Sequence, residues 1–308
     1  MTEELNFERI ARIDEVFFEL LVEKGIRLSI QRDDLLHPEV SGNKWRKLKY
    51  VIQNFNRERY SGVLTFGGPF SNHLSATAAA CKLFKIPFVA IVRGEGDENN
   101  TTLEFIKRCG GEIRCVDRTT FRELRQKQWP NPLHKEFPNV LTLPEGGSSK
   151  DARLSCEEIS EHWETEFTHV CCAIGTGSTF SGLVNGLKAK QTKAMGFVML
   201  KDKGYLDDEL KAFIYSKQKY DVIRNYHFNG FGKVNDVLIE FMNDFFYQTD
   251  ILLDPVYTGK LLFGIFDLIN KDYFKPGSHI IAIHTGGLQG IDSMNRMLER
   301  KKKPLIKT

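Results

Sequence analysis

The stretch "HVCCAIGTGSTFSG" (169–182) decides the fold. It opens as a short apolar run with β-branched Val170 and Ile174, of the length and composition a buried strand takes. Gly175 and Gly177 then interrupt it among Thr176, Ser178 and Thr179, and "FSGLVNGLKAK" takes up helical spacing. Strand, glycine turn and helix make the unit from which parallel-sheet α/β proteins are built. The turn also suits an anion, because glycines let the backbone approach it while a helix N-terminus and hydroxyls supply donors. Ordinary strand–helix turns use such glycines too, so the loop alone names no ligand. A dinucleotide turn, G-x-G-x-x-G, is the sharper rival. Here Gly182 follows Gly177 only after four intervening residues, and Asp202 stands near where a ribose-binding acid would lie. The Walker pattern is absent, since no G-K-[ST] closes the loop.

The same alternation runs outward in both directions. "GVLTFGG" (62–68), "IPFVAIV" (86–92), "GEIRCV" (111–116), "NVLTLP" (139–144), "AMGFVML" (194–200) and "HIIAIH" (279–284) read as strands. "NHLSATAAACKLF", "TTLEFIKRC", "TFRELRQKQ" and "DARLSCEEISEHWE" between them carry helical spacing. No repeat, low-complexity segment or long linker is present, so a second domain is expected as an insertion within the first. Four polar loops stand out: "GGPFSNH", "GTGST", "DPVYTGK" after "ILL", and "HTGG" after "HIIAI". All four are expected at C-terminal strand ends, where open parallel sheets bind ligands. A (β/α)₈ barrel also fits the alternation and the late "TGG" turn.

Composition excludes several classes. The 308 residues, 41% hydrophobic and 27% charged, suit a two-domain globular chain and no fibrous or disordered one. Lys and Arg number 43 against 40 Asp and Glu, too even a balance for strong electrostatic binding to nucleic acid. The six cysteines form no CxxC pair, and Cys171 and Cys172 lie in an apolar run, so metal ligation and a disulfide framework are not expected. The acidic start "MTEELNFERIARIDEVFF" lacks a signal peptide's basic and apolar regions. No apolar run approaches membrane-spanning length. A cytoplasmic protein is the expectation.

Chemistry concentrates in the loops. "SGNKWRKLKY" (41–50) puts Lys44 at a helix start, where cations are usually disfavoured, so it is either exposed and indifferent or held for chemistry. Ser71, Asn72 and His73 open the helix after "GGPF", where serine or asparagine also serves as an N-cap. Tyr257 and Thr258 open another, beside turn-forming Pro255 and Gly259. His284 alone reads as a satisfied histidine before it reads as a base. An anion-cradling loop, a lysine and neighbouring hydroxyl and amide groups together suit pyridoxal 5'-phosphate. That cofactor has a phosphate, an aldehyde that condenses with lysine, a 3'-oxygen and a ring nitrogen.

At this point the chain resembles the fold-type II pyridoxal-phosphate enzymes, specifically the D-cysteine desulfhydrase and 1-aminocyclopropane-1-carboxylate (ACC) deaminase group. "RDDLLHPEVSGNKWRKLKY", "GGPFSNHLSATAAACK", "EGGSS", "GTGSTFSG", "KGY", "LLDPVYTGK" and "HTGGLQG" occur in the family's order. The resemblance implies that Lys44 binds the cofactor aldehyde and that Asn72 bonds its 3'-oxygen. Ser71, with Asn72 and His73, would face the substrate carboxylate and reacting carbon. Gly175, Thr176, Gly177, Ser178 and Thr179 would hold the phosphate, and Thr258 would partner the ring nitrogen. Tyr205 and Tyr257 would face substrate, with Lys47 a second basic residue near the site.

It further implies two three-layer α/β/α domains with parallel-rich sheets, like the tryptophan synthase β subunit, with the cofactor between them. Residues 1–46 and 156–308 would form the large domain and 47–155 the small inserted one. A homodimer acting on a small amino acid is expected, without nucleic acid or membrane. Thr258 stands where the ACC deaminase branch carries glutamate. A hydroxyl can donate to an unprotonated ring nitrogen and leaves a weaker electron sink. That favours α,β-elimination from D-cysteine, giving pyruvate, ammonia and sulfide, over ACC ring opening to 2-oxobutyrate and ammonia. A nicotinamide-dependent oxidoreductase and a catalytically silent amino-acid sensor are the readings from other classes.

Overall fold

Short β-branched runs become parallel strands in this chain, and small-residue helices pack on them. The computed structural model describes residues 7–94, 100–126, 133–189, 191–202 and 204–308. The strands are β1 (Ile13–Val16), β2 (Arg27–Gln31), β3 (Gly62–Gly67), β4 (Phe88–Arg93), β5 (Glu112–Val116), β6 (Val140–Leu143), β7 (His169–Ile174), β8 (Lys193–Val198), β9 (Tyr220–Ile223) and β10 (His279–Ile283). The helices are α1 (Glu19–Lys24), α2 (Asn43–Gln53), α3 (Asn72–Leu83), α4 (Thr101–Arg108), α5 (Arg118–Gln126), α6 (Leu133–Glu136), α7 (Lys150–Glu157), α8 (Ser178–Gly186), α9 (Tyr205–Phe213), α10 (Asp236–Thr249), α11 (Thr258–Asn270) and α12 (Gly290–Arg300). The chain divides into two α/β units. No helix among the described residues is long and apolar enough to cross a membrane.

The first unit comprises residues 7–8, His37–Val40 and Lys44–Ala152. Its sheet runs β5-β4-β3-β6, all parallel. Every residue of β3 is buried, so its one polar side chain must be satisfied inside. Thr65 Oγ1 donates to the Leu143 carbonyl on β6 at 2.9 Å and stands 2.9 Å from His73 Nε2. With the hydroxyl proton spent on Leu143, Nε2 carries the hydrogen of that second bond. That bond pins α3 to β3, and burial keeps the ring neutral. Burial holds its pKa well below the usual histidine value, and the charges of Lys44 and Lys47 push the same way. Ser71 caps α3, its hydroxyl accepting from the Leu74 N–H at 3.3 Å.

The second unit comprises Arg9–Leu36, Ser41–Asn43 and Arg153–Thr308. Its sheet runs β1-β2-β10-β7-β8-β9, with β1 antiparallel to β2 and the rest parallel. Adjacent Cys171 and Cys172 alternate to opposite faces of β7, each fully buried in a different apolar cluster. One cluster joins Leu28, Ile30 and Phe197 to α10 and α11, the other joins Ile174 and Ile281 to α8. Burying each such side chain is worth roughly 1.5–3 kcal/mol. A Cβ on Gly182 would lie 2.4 Å from the Arg153 carbonyl oxygen, and one on Gly186 1.9 Å from that of Glu157. These two glycines therefore set how closely α8 approaches the end of α7.

Two expectations need correction. "ILL" (251–253) forms no strand: Asp250 ends α10 in a left-handed conformation (φ 57°), and the Asp254 side chain then accepts from the N–H groups of residues 256–258. The loop "DPVYTGK" thus connects two helices, and the other three polar loops follow strands. The helix expected over "DARLSCEEISEHWE" stops at Glu157 and continues as one 3₁₀ turn, Glu158–Ser160, where Gly186 abuts the backbone. Parts of "TFRELRQKQ" and "FSGLVNGLKAK" lie outside the described residues, as does Lys203 of "KGY".

Gly186→Val is expected to destabilise by about 1–3 kcal/mol through overpacking, seen as a lower thermal midpoint by circular dichroism. The depressed pKa of His73 has a signed consequence. Its neutral folded form loses ground once the unfolded imidazole protonates, so stability present above about pH 6.5 falls as the pH drops below it, by up to about 1.4 kcal/mol per unit. His169 and His279, also depressed by burial, add in the same direction. Urea unfolding at pH 5–8 should give a shallower loss for His73→Gln than for the wild type; equal slopes would show that His73 is not neutral in the fold.

Candidate active site

In the second unit the glycine loop is built around a helix start that no side chain caps. β7 ends at Ile174, Gly177 takes φ 85°, and α8 begins at Ser178 with no side-chain cap on its first turn. The first N–H groups of a helix have no partner within it, and their aligned dipoles leave about half a positive charge there. Ser178 and Thr179 are buried beside that end. Thr179 Oγ1 accepts from Asn43 Nδ2 at 2.8 Å. Asn43 directly precedes Lys44, so the segment entering α2 is fastened to the loop.

That segment is itself locked. Gly42 (φ 65°) donates its N–H to the Asp33 carbonyl, and Asn43 donates its own to the Thr285 carbonyl. A Cβ on Gly42 would lie 2.0 Å from Thr285 O, and one on Gly286 2.8 Å from Ser41 Oγ. The turns "SGN" and "HTGG" interleave, which accounts for the glycines in both. His284 is fully buried, Nε2 donating to the Leu252 carbonyl at 2.7 Å while Nδ1 stands 3.3 Å from both the Gly286 N–H and Asp34 Oδ1, a histidine with both ring nitrogens occupied.

Tyr257 lies against the loop: a Cβ on Gly175 would come within 3.1 Å of its ring and 3.2 Å of its hydroxyl. Phe231 packs edge-on to it, centroids 5.9 Å apart. Thr258 opens α11, fully buried, bonded to Asp254. Lys260 on the same helix is also fully buried. Its Nζ donates to the carbonyls of His227 and Gly230 at 3.0 Å, and burial pushes its pKa down to about 8 against the opposing charge of Asp254. Tyr205 opens α9 with half its surface exposed.

In the first unit Lys44 is half-buried near the start of α2, and Lys47, one turn on, is buried and donates to the Gly146 carbonyl at 3.1 Å. A Cβ on Gly147 would lie 3.0 Å from the His73 ring. Lys44, Lys47, His73 and the "EGGSS" turn therefore share one neighbourhood, with His73 buried in its floor. Asn72 begins α3, half-buried, beside the capping Ser71. Trp45 turns its bulk inward onto Phe7, centroids 5.3 Å apart. Asn43, Asp254 and Lys260 are the polar residues here that sequence pattern does not single out. Asn43 adjoins the lysine and Asp254 stands four before Thr258, the i to i+4 signal that would have found it.

The donors fit pyridoxal phosphate. An uncapped helix start with hydroxyls at Thr176, Ser178 and Thr179 matches a phosphate monoester, and the glycines at 175 and 177 leave the backbone bare. A dinucleotide fits less well, because Gly182 packs α8 on α7 and Asp202 caps α9, accepting from the Gly204 and Leu206 N–H groups. Among the described residues no cluster of His, Cys, Asp and Glu could hold a metal ion.

Comparison with known proteins agrees. A bifunctional D-cysteine desulfhydrase/1-aminocyclopropane-1-carboxylate deaminase of Arabidopsis thaliana, mitochondrial, is 29% identical over 305 residues, covering 89% of this chain and 75% of that one. A D-cysteine desulfhydrase of Klebsiella pneumoniae is 27% identical over 289 residues, covering 85% and 87%. A crystal structure of an ACC deaminase homologue superposes with a TM-score of 0.80 at 26% identity, covering 96% and 95%. Residues 18–286 match the family described as pyridoxal-phosphate dependent enzyme, and with its two parallel-rich α/β units the chain belongs to that family as a fold-type II member.

Proposed function

We propose that this enzyme is a lyase of D-cysteine or a closely similar small amino acid, converting D-cysteine and water to pyruvate, ammonia and hydrogen sulfide. The observation that carries the reading is the fastening of Asn43 to Thr179. The chain that anchors in the loop's hydroxyl runs directly into Lys44, the amine the chemistry requires. Relatives named for desulfhydrase activity support the substrate class.

In this reading Gly175–Thr179 and the start of α8 hold the cofactor phosphate, Asn72 its 3'-oxygen, Thr258 its ring nitrogen and Lys44 its aldehyde. When bound, pyridoxal phosphate supplies a conjugated electron-withdrawing ring that makes the substrate's α-proton acidic. Lys44 Nζ, once the substrate amine has taken its place, accepts that proton. Neutral His73 beneath it adds no positive charge and so leaves the amine more basic than a protonated histidine would. Ser71, capping α3 through its oxygen, retains its proton to donate to the substrate carboxylate. Tyr257, ordered against Gly175 and Phe231, and Tyr205 at the start of α9 orient the substrate side chain. The reading carries with it residues 1–46 and 156–308 as the large domain and 47–155 as the inserted one, a homodimer and a cytoplasmic home. The described cysteines, all free thiols, are consistent with a reducing compartment.

A second reading, ACC ring opening to 2-oxobutyrate and ammonia, is favoured by one specific observation, the Asp254 carboxylate directly behind Thr258. Purified protein given D-cysteine, L-cysteine, D-serine and ACC in parallel, with pyruvate, sulfide and 2-oxobutyrate measured, separates the two. Pyruvate with stoichiometric sulfide from D-cysteine is the expected result, and 2-oxobutyrate from ACC alone would transfer the assignment. Lys44→Ala should lose more than the roughly 10²–10⁴-fold that positioned proton transfer contributes, because covalent capture of the cofactor goes with it. A variant retaining a tenth of the activity would remove Lys44 from its role.

A further inference from the structure

Thr258 has one hydroxyl proton, and the structure accounts for where it goes. Its Oγ1 accepts the Asp254 N–H at 2.8 Å, so that bond uses a lone pair and leaves the proton to be placed. The Asp254 carboxylate oxygen Oδ1 lies 2.9 Å away and can only accept. The same carboxylate takes the Thr258 N–H at 2.7 Å on Oδ1, and the Val256 and Tyr257 N–H groups at 2.9 and 3.0 Å on Oδ2. Four donors converge on it and a carboxylate has room for all four. Both side chains are buried, Thr258 completely and Asp254 to within 1% exposure, so water does not substitute for either partner. What Thr258 Oγ1 has left to offer a ligand is a single lone pair.

We propose that Asp254 acts through Thr258 as a positioning residue that makes the ring-nitrogen site accept a hydrogen bond, so that it selects the protonated pyridine nitrogen. This rests on Thr258 being the ring-nitrogen partner, as in the function proposed above. An unprotonated nitrogen would need the hydroxyl proton, turning Oγ1 so that two oxygens 2.9 Å apart face each other without a hydrogen between them. A protonated nitrogen donates to the remaining lone pair and disturbs nothing. The surrounding charges agree. The start of α11 contributes about half a positive charge, which a full carboxylate charge outweighs. Lys260, the other charged group on this turn, aims its Nζ at the carbonyls of His227 and Gly230.

The consequence is chemical. A hydroxyl supported by a carboxylate imitates a carboxylate at the same place, so the ring would act as a strong electron sink even though its immediate partner is a threonine.

The test is the ¹⁵N chemical shift of pyridoxal phosphate labelled at the ring nitrogen and bound to the full-length protein. The wild type should show the protonated shift from pH 6 to 9, and Thr258→Ser, which keeps the hydroxyl, should show it too. Asp254→Asn and Thr258→Val should move the signal to the unprotonated position. A merely structural cap would lower the melting temperature of these variants without moving the shift of the cofactor they bind. If Asp254→Asn does not fold, Thr258→Val carries the comparison, since it leaves the backbone donors to the carboxylate in place. An unprotonated signal in the wild type overturns the inference, as does a protonated one that survives either substitution. Failure of the wild type to take up the cofactor overturns the function proposed above and this inference with it, which distinguishes the two.

Discussion

Gly42 passes the Thr285 carbonyl so closely that no side chain could stand on it, and the organisation of the second unit's loops depends on that crossing. The turn 41–43 is short and would wander if left to itself. Threaded against the loop after β10, it is fixed by backbone bonds from Gly42 to Asp33 and from Asn43 to Thr285. Only then does the Asn43 amide find Thr179 at the start of α8. The chain emerging from this crossing begins α2 and carries Lys44 as its next residue. A parallel sheet contributes the positions of β7 and β10, side by side in register, and the glycines turn that adjacency into a site.

Buried polar groups supply the second layer of constraint, because each must be satisfied without water. Counting donors then places hydrogens that atomic positions alone leave open. Thr65 spends its proton on Leu143, which puts a hydrogen on His73 Nε2; Thr258 spends its proton on Asp254, which makes its remaining face an acceptor. In both places a threonine hydroxyl transmits a distant acceptor's character to a neighbouring ring or ligand. An unmade bond of this kind, buried, costs about 1–3 kcal/mol, enough to hold one arrangement against another.

Much of the fold was legible in the sequence where strands are buried on both faces. β3, β4, β7, β8 and β10 are near-continuous apolar runs closed by glycine or polar turns, and each appears where its run lies. β2 was not, because Ser29 at its centre and Gln31 at its end break the apolar run. Both are buried, Ser29 bonded to His279 Nε2 and Gln31 to Trp163, partners from distant parts of the chain that no local window contains. α10 hid for a different reason: "FFYQT" has strand composition, and the Asn235 cap that starts the helix decides it only with the buried face it serves. "ILL" failed in the opposite sense, being apolar because it is buried between α10 and α11 while too short to pair. The loops of the site were legible as motifs; Asn43 was not, because its role is a bond to a side chain 136 residues away, and Asp254 shows only in its spacing four before Thr258.

The same distinction bears on how relatives in this family divide between elimination and ring opening. Thr258 names a hydroxyl, and a hydroxyl both donates and accepts, so the residue type alone permits a weak or a strong electron sink. Asp254 removes that freedom by taking the proton. A glutamate placed directly on the ring nitrogen and a threonine backed by an aspartate then differ less in electrostatics than in reach, the charge lying one residue deeper in the second case. Reaction choice would shift from the ring's electron demand to how the substrate is held. A cyclopropane lacks a leaving group and must have its strained bond aligned with the conjugated ring, whereas a β-thiol leaves from a range of orientations. If Tyr257 faces the substrate as proposed, its order against Phe231 and the bare backbone of Gly175 would make it a stronger determinant of reaction outcome than Thr258.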